Sequence, residues 1–569
     1  MGDLGIADVW AVNDGEKVKR DDLANPNRAQ NSVWDGQKVS LFGARNEILG
    51  FQVIVQAGPN GAKEVDVRLE ELVHRESGTR LVFRPETDDP TDTRDRQIER
   101  FTQHYLHIAK PSPPGWFYNR DAAPPDPTGW IPDPLVPCNA KRGQGGAPFD
   151  IGPNQNQGVW FDIAIPKENM PAGIYEGTIR ISEGGQVAKE IPVSLRVFDF
   201  VLPDETHFDA MIYFDEAQVA TRHGTPDRAL VARYHRFAHR HRVEFTHTYR
   251  PNTGQEQCDR ITGEAFTPGR GYVGPGEGVG YSILPASFYG MGPEWSEDRA
   301  HATADAFMTW LNGIKPNAIT FLYITDEPPP DRLPWIRSIG QLHHANPGPG
   351  RNLPMFITHA PHPELEGAID IWCTVTNQYD IARAKAEKAK GRRWWVYNGH
   401  RPAAGTGLTE APAVDLRVTP WACWKYGVEL WFYWFANHWR HNSQAPRGEQ
   451  NVWVDPVTFG HDGEYNGDGV LIYAGQDAVF PDQDRGIAGP IASIRLKNIR
   501  RGIQDYEYLW LAEQNELQAE ARVVADACVP AAFSEAKGDV AWSQRGSDWD
   551  AQRLKLAEQL EQRLNAVKP

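Results

Sequence analysis

The feature that most constrains this chain is a change of hydrophobic period at Pro203. Before it the apolar residues recur every second position. Phe51, Val53 and Val55 alternate with polar neighbours, as do Val159, Phe161, Ile163 and Ile165. Tyr175, Ile179 and Ile181 lead through Glu183-Gly184-Gly185 into Ile191, Val193, Leu195 and Val197, the pattern of a hairpin. Residues 1–202 are therefore expected to form an antiparallel β-sandwich. Residues 111–153, rich in Pro, Gly and Asp and without clear period, are expected to be a long irregular excursion whose Trp116, Tyr118 and Trp130 reach a neighbouring domain.

After Pro203 strands alternate with helices. Strand-like runs stand at 207–214, 243–249, 281–284, 318–325, 354–359, 369–377, 393–398 and 428–437, the third being the weakest. Helical spacing falls between them, as in Leu230, Val231, Tyr234, Phe237 and Ala238. Eight strands with intervening helices over residues 203–440 match a (β/α)8 TIM-like barrel, which typically takes about 250 residues. Residues 441–569 are expected to be an extension packed on the barrel, with one strand at 469–473 and two helices, the first carrying Ile499, Ile503, Tyr506 and Trp510, the second Leu556, Leu560 and Leu564. The fold class is thus α/β multidomain.

Charge and cysteine content narrow the partners. With 59 Lys+Arg against 75 Asp+Glu the formal charge is -16, opposite to what nucleic acid or an anionic membrane attracts. The five cysteines, at 138, 258, 373, 423 and 528, have no CxxC and no short spacing, so neither a zinc framework nor a disulfide scaffold is read. No apolar run reaches the roughly 18 residues of a membrane span. The opening MGDLGIADVWAVND has no basic region followed by an apolar stretch, so no signal peptide is read there, and secreted, periplasmic and cytoplasmic locations all stay open. No cofactor is implied, because no Walker loop, dinucleotide fingerprint, HExxH or nucleophile elbow stands in a fitting context. The Asp-rich stretches at 88–95 and 466–469 lack the full ligand spacing of a calcium loop, so no metal is expected.

Barrel enzymes carry their chemistry just beyond the strand ends. The fourth strand runs Phe321-Leu322-Tyr323-Ile324-Thr325 straight into Asp326-Glu327 and a proline stop. Two adjacent carboxylates at the rim of an apolar strand are expected to raise the pKa of at least one, which suits a general acid. The competing structural reading makes Asp326 a helix cap and Glu327 a surface ion-pair partner. A second pair, Asp215-Glu216, ends the first strand after Tyr213; it is expected to bind substrate hydroxyls or orient the first pair, or else to cap a helix beginning near Asp227. The other ends offer Tyr249, His359, Asn377, Tyr379, Tyr397, Asn398, Trp434, Asn437 and Trp439. Amides, imidazoles, phenols and indoles around one rim suit a sugar ring, which needs hydrogen bonds at its edge and an apolar platform under its C–H face.

The tryptophan content points the same way. The chain holds 20 Trp at a mean hydropathy of -0.55, and seven of them lie in residues 394–439. Strand alternation assigns about half of the seven to packing between barrel and helices. Trp434 and Trp439, last in the eighth strand, are the expected platforms.

Four motifs together resemble glycoside hydrolase family 123 and its related domains: YITDEPPP at 323–330, WWVYNGHRP at 394–402, LRVTPWACWKYGVELWFYWFANHW at 416–439, and GDGVLIYAG at 467–475 with GPIASIRLKNIRRGIQDYEYLWLAE at 489–513. The resemblance covers most of residues 160–515 in order. It implies a sandwich, a barrel and a C-terminal extension, and a retaining exo-β-N-acetylgalactosaminidase-like activity that uses the substrate's own 2-acetamido group as nucleophile. Glu327 would be the general acid/base, and Asp326 would orient the acetamido group and stabilise the oxazolinium intermediate. In the family a tyrosine also supports that group, but after the fifth strand this sequence reads ITHAPH at 357–362. Two readings compete: a two-carboxylate glycosidase for a plain sugar, with Asp215 or Glu216 as nucleophile, and a carbohydrate-binding protein without turnover.

Overall fold

The computed structural model describes residues 4–85, 87–289, 296–441, 448–459 and 464–566. The N-terminal part holds β1 (Ile6–Asn13), β2 (Val39–Arg45), β3 (Glu47–Ala57), β4 (Ala62–Leu69), β5 (Glu71–His74), β6 (Arg80–Val82), β7 (Ile98–Ile108), β8 (Gly129–Pro137), β9 (Phe149–Ile151), β10 (Asn156–Ile165), β11 (Gly173–Glu183) and β12 (Gln186–Val201). One sheet runs β1-β3-β10-β7-β8 and the other β2-β12-β11-β4-β9, with β5 and β6 beside β11. All these pairings are antiparallel except β2 with β12, which is parallel. Between the sheets lie the residues that the period of two picked out, among them Phe51, Val53, Val55, Phe161, Ile163, Ile179 and Leu195.

Residues 111–153 depart from the expected irregular excursion. Within them β8 forms the edge of the first sheet, paired to β7. Its three prolines, at 132, 134 and 137, hid it, and an edge strand tolerates them because one side needs no ladder donors. Tyr118 does reach another part of the molecule, bridging to Arg401 and packing on Leu408 and Ala411. Trp130 stays at home under the guanidinium of Arg20, 4.1 Å from the ring centroid.

Next comes a curled parallel sheet flanked by helices. Its strands are β13 (Asp209–Tyr213), β14 (Glu244–Thr246), β15 (Leu322–Tyr323), β16 (Met355–Ile357), β17 (Ile371–Val375), β18 (Arg393–Tyr397) and β19 (Leu430–Tyr433), in the spatial order β14-β13-β19-β18-β17-β16-β15. The helices are α1 (Glu216–His223), α2 (Arg228–Arg240), α3 (Gln255–Thr262), α4 (Glu297–Ile314), α5 (Leu333–His344), α6 (Ile381–Ala389) and α7 (Asp415–Tyr426). The expected third strand is not a regular one. Residues 281–288 touch the fourth position through two isolated bridges, Ile283 with Ile319 and Ser287 with Leu322. Toward β14 they are held mainly by a side chain: the Glu244 carboxylate accepts from the Ser282 and Ile283 N–H groups at 2.7 and 2.9 Å. Pro285 explains part of the irregularity, since it has no N–H to give a ladder.

Inside the curl Met211, Ile283, Phe288, Phe321, Tyr323, Phe356, Ile371, Trp395, Tyr397 and Phe432 form one packed core. Outside it, Trp372, Trp394 and Trp431 pack toward the helices, and Trp421 of α7 joins the same layer. Alternation along β18 and β19 thus sends Trp395 and Phe432 inward and Trp394 and Trp431 outward, which disposes of much of the tryptophan surplus as structure.

The C-terminal part differs from the expected strand and two helices. It holds β20 (Val457–Phe459), β21 (Tyr465–Asn466), β22 (Ile472–Ala474) and β23 (Pro490–Ala492), paired two by two, then α8 (Ile494–Gln514), α9 (Gln518–Cys528) and α10 (Gly546–Ala566). Helix α8 lies across the outer face of the first sheet. Its buried Lys497 and Arg500 hold Asp162 of β10 at 2.6 to 2.9 Å, Arg495 holds Asp133 of β8, and Arg501 holds Asp14 and Glu47. The polar half of the alternation in β3 and β10 is therefore buried and paired rather than solvated. Removing one partner of such a pair leaves a buried charge exposed to the full desolvation cost, about 3–5 kcal/mol. Among the described residues no helix is long and apolar enough to cross a membrane.

Candidate active site

The acid pair sits where the sequence puts it, directly beyond β15 at the C-terminal rim of the curled sheet. Glu327 has a φ of 37°, the left-handed region that a side chain with a Cβ rarely occupies. Two more non-glycine residues share that conformation nearby, Tyr289 at 54° and Asn398 at 50°. Backbone strain of about 1–3 kcal/mol per residue persists only where surrounding contacts impose it.

Thr358, first after β16, imposes it on Glu327. Its hydroxyl accepts the Glu327 backbone N–H at 2.7 Å and donates to Asp326 Oδ1 at 2.9 Å. The phenol of Tyr323 donates to the same Oδ1 at 2.5 Å. Asp326 is thereby fixed by two donors, and Thr358 ties the two acids into one unit. On the other side Tyr397, last in β18, donates its phenol to Glu327 Oε1. Burial, then the charges of the acid pair, push the Tyr397 and Tyr323 phenols well above their ordinary value, so both stay neutral donors. Tyr289 is pushed up likewise, by burial first and then by Asp326. Asp326 and Glu327 themselves are exposed. The water around them would be displaced by a bound ligand, not by the protein alone.

Trp434, an expected platform, stands half-buried past β19. Its backbone N–H is received by Asn398 Oδ1 at 3.0 Å, its carbonyl accepts from Tyr289 Oη at 2.7 Å, and its indole N–H donates to Asp468 Oδ1 at 2.8 Å. Gly469 makes room for the ring: with φ +71°, a Cβ there would stand 2.6 Å from Trp434 Cζ2. Tyr213 packs edge-on against Tyr289 and Phe435 and joins the same rim.

Other expected site residues are elsewhere. Trp439 is fully buried, its indole bonded to the Ile472 carbonyl, and offers no platform. Tyr249 and Tyr379 are buried in the helix layer, Tyr249 against His247 and Tyr379 against Trp394 and Phe533. Asp215 accepts the Ala217 N–H as the cap of α1, while Asn437, fully buried, clasps the Asp215 backbone N–H and carbonyl. Glu216 turns toward His235 and Arg260. Asn377 is exposed beyond β17, and His359 is half-buried beyond β16 with its Nδ1 2.6 Å from the Ala360 carbonyl. Sequence reasoning missed Thr358, Tyr289 and Asp468. Thr358 does lie just past a strand end, which is a usable signal, whereas Tyr289 follows the irregular segment 281–288; Asp468 lies in a loop far along the chain that only the tertiary fold brings behind Trp434.

A carboxylate pair on the C-terminal rim of a curled parallel sheet, faced by neutral phenols and an indole, is an arrangement suited to glycoside hydrolysis. Residues 306–512 match the family Glycoside hydrolase 123, catalytic domain. All four sequence motifs fall inside this segment apart from the last residue of the fourth. The structure of a family 123 glycoside hydrolase from Clostridium perfringens, whose description concerns glycolipid glycan hydrolysis, is similar at a TM-score of 0.64 and 13% identity, covering 98% of each chain. That likeness bears on the fold. A putative β-galactosidase from Bacteroides fragilis has 12% identity over 72% of this chain and 56% of its own, with a TM-score of 0.25. A family 39 glycoside hydrolase from Bacteroides cellulosilyticus has 9% identity over 71% of this chain and 77% of its own, at 0.31. Both scores are too low to carry an argument. A search of curated protein sequences finds no match.

Proposed function

We propose that this chain removes terminal β-linked N-acetylhexosamine residues, N-acetylgalactosamine foremost, from a glycoconjugate glycan, with retention and with the substrate's acetamido oxygen as nucleophile. Glu327 protonates the glycosidic oxygen and then deprotonates water. Asp326, held by Tyr323 and Thr358, orients the acetamido N–H and stabilises the positive charge that develops as the oxazoline ring closes. We read the curled sheet as a (β/α)8 barrel whose third place is taken by residues 281–288.

One observation carries the reading: the two acids are neighbours on one strand end, tied together by Thr358. A two-carboxylate retaining mechanism needs groups about 5–5.5 Å apart across the anomeric carbon. Against the competing two-carboxylate reading, Asp215 Oδ1 caps α1 and Glu216 faces His235. Asp468 is buried behind Trp434. The Clostridium perfringens relative adds a glycolipid glycan as the first natural substrate class to try.

The test is a panel of nitrophenyl glycosides against wild type, Asp326→Asn and Glu327→Gln. Cleavage of N-acetylhexosaminides alone, with both variants crippled, is expected. Cleavage of plain glycosides would sink the substrate-assisted mechanism, and binding without any turnover would favour a lectin-like protein.

A further inference from the structure

Beside the first strand, away from the acid pair, three side chains converge. Glu216 opens α1, His235 lies within α2, and His247 follows β14. One ligand atom from each lies within 4.8 Å of the others, and Glu216 Oε1 is 3.5 Å from His235 Nε2. Buried Glu216 Oε1, His235 Nε2 and His247 Nδ1 have no hydrogen-bond partner. Unsatisfied buried polar atoms are uncommon, and three facing one another require a reason.

The tautomer of His235 sharpens the matter. Tyr281 Oη donates to the His235 carbonyl at 3.3 Å and lies 3.0 Å from His235 Nδ1. A phenol has one proton, so with that proton on the carbonyl its oxygen accepts from Nδ1–H. Nε2 is then left with a bare lone pair aimed at a carboxylate oxygen, two acceptors face to face. His247 Nδ1 is also unpartnered, but its Nε2 faces the Gln257 amide nitrogen at 2.9 Å and accepts from it, which leaves the proton on Nδ1; a flip of the Gln257 amide, so that its oxygen accepts from Nε2–H, frees the Nδ1 lone pair. Fixing one ring nitrogen so that the other presents its lone pair is how ligating histidines are held. Arg260 Nη2 stands 3.8 Å from Glu216 Oε1, too far for a hydrogen bond.

We propose that Glu216, His235 and His247 form a binding site for a divalent transition-metal ion, with zinc the best fit. Two imidazoles and a carboxylate are a standard three-ligand zinc set, with ligand bonds of about 2.0–2.2 Å and a fourth place for water. The 3.5 Å separation of Glu216 Oε1 and His235 Nε2 already suits two ligands of one tetrahedral ion; His247 would close in. Glu216 is half-exposed, which provides entry from solvent. The ion would pin α1, α2 and the end of β14 together next to the seam where β14 meets residues 281–288 without a ladder. Sequence spacing concealed the set, because its ligands come from two helices and a strand end.

The test uses the full chain, stripped with a chelator and titrated with zinc by calorimetry, alongside thermal unfolding with and without the metal. One equivalent of zinc bound at sub-micromolar Kd, with a rise in Tm and a cobalt derivative showing tetrahedral visible bands, is the expected result. Glu216→Gln and His247→Gln, neither at a fully buried residue, should each weaken binding more than about tenfold while remaining folded by circular dichroism. Absence of stoichiometric zinc uptake by the stripped wild type would overturn the proposal. So would unchanged affinity in both folded variants, or tighter binding of magnesium or calcium than of zinc.

Discussion

Thr358→Val is the most informative perturbation of the acid pair, because it removes one hydroxyl and almost no volume. Thr358 is 4% exposed, so water does not readily replace it. The change deletes the 2.9 Å donor to Asp326 and the 2.7 Å acceptor for the Glu327 N–H. A hydrogen bond to a charged group is worth about 1.5–3 kcal/mol. If Asp326 must be aligned as charge develops, that loss falls on the transition state and lowers kcat about ten- to a hundredfold, at about 1.4 kcal/mol per factor of ten. Substrate binding, made mostly elsewhere on the rim, should leave KM within about threefold. The assay is steady-state hydrolysis of a nitrophenyl N-acetylgalactosaminide with Tm measured in parallel, and Thr358→Ser should restore most of the rate. A Val variant with wild-type kcat would refute the idea that Thr358 couples the acids. A fall in Tm with kcat intact would reduce Thr358 to a purely structural role.

Four further outcomes are expected. Trp434→Ala should raise KM more than it lowers kcat if the indole is a platform; an unchanged KM would remove it from the binding surface. Asp162→Ala strands Lys497 and Arg500 in the interface between sheet and α8, and urea unfolding should register a loss of about 3–5 kcal/mol. Burial opposes ionisation of Asp162, yet the Arg500 and Lys497 charges outweigh it and hold the carboxyl well below 3.8, so its stabilisation is present above that value and lost as pH falls; Asp162→Asn should flatten the decline in stability between about pH 5 and 3. Asp468 is the opposite case, pushed up to about 7 mainly by burial, against the opposing bonds from Trp434 and Tyr433. Its protonated form favours the folded state, so stability is fully present below 3.8 and lost as pH rises through about 7. Asp468→Asn should make Tm less sensitive to pH between about 4.5 and 7.5 than in wild type, and an identical pH slope would contradict it.

Sequence alone was sufficient for whatever depends on local periodicity. Alternation in β3, β10 and β11 reveals the sandwich, and the apolar run ending in Asp326-Glu327 marks a rim position without reference to anything distant. It also places Trp395 and Trp394 on opposite faces of β18, since the period of two is a property of the backbone. Strands such as β8 were illegible because prolines broke the pattern, and edge position, which excuses them, is a fact about neighbours. Direction at the rim was likewise beyond local reasoning. Once a strand ends, loop dihedrals and long-range hydrogen bonds choose where a side chain points, so Asp215 and Asp326, alike in sequence, part company: one caps a helix and the other is clasped by Tyr323 and Thr358. The buried basic face of α8 follows the same rule, for its charges are tolerable only opposite Asp162, Asp133, Asp14 and Glu47, residues brought to them from hundreds of positions away.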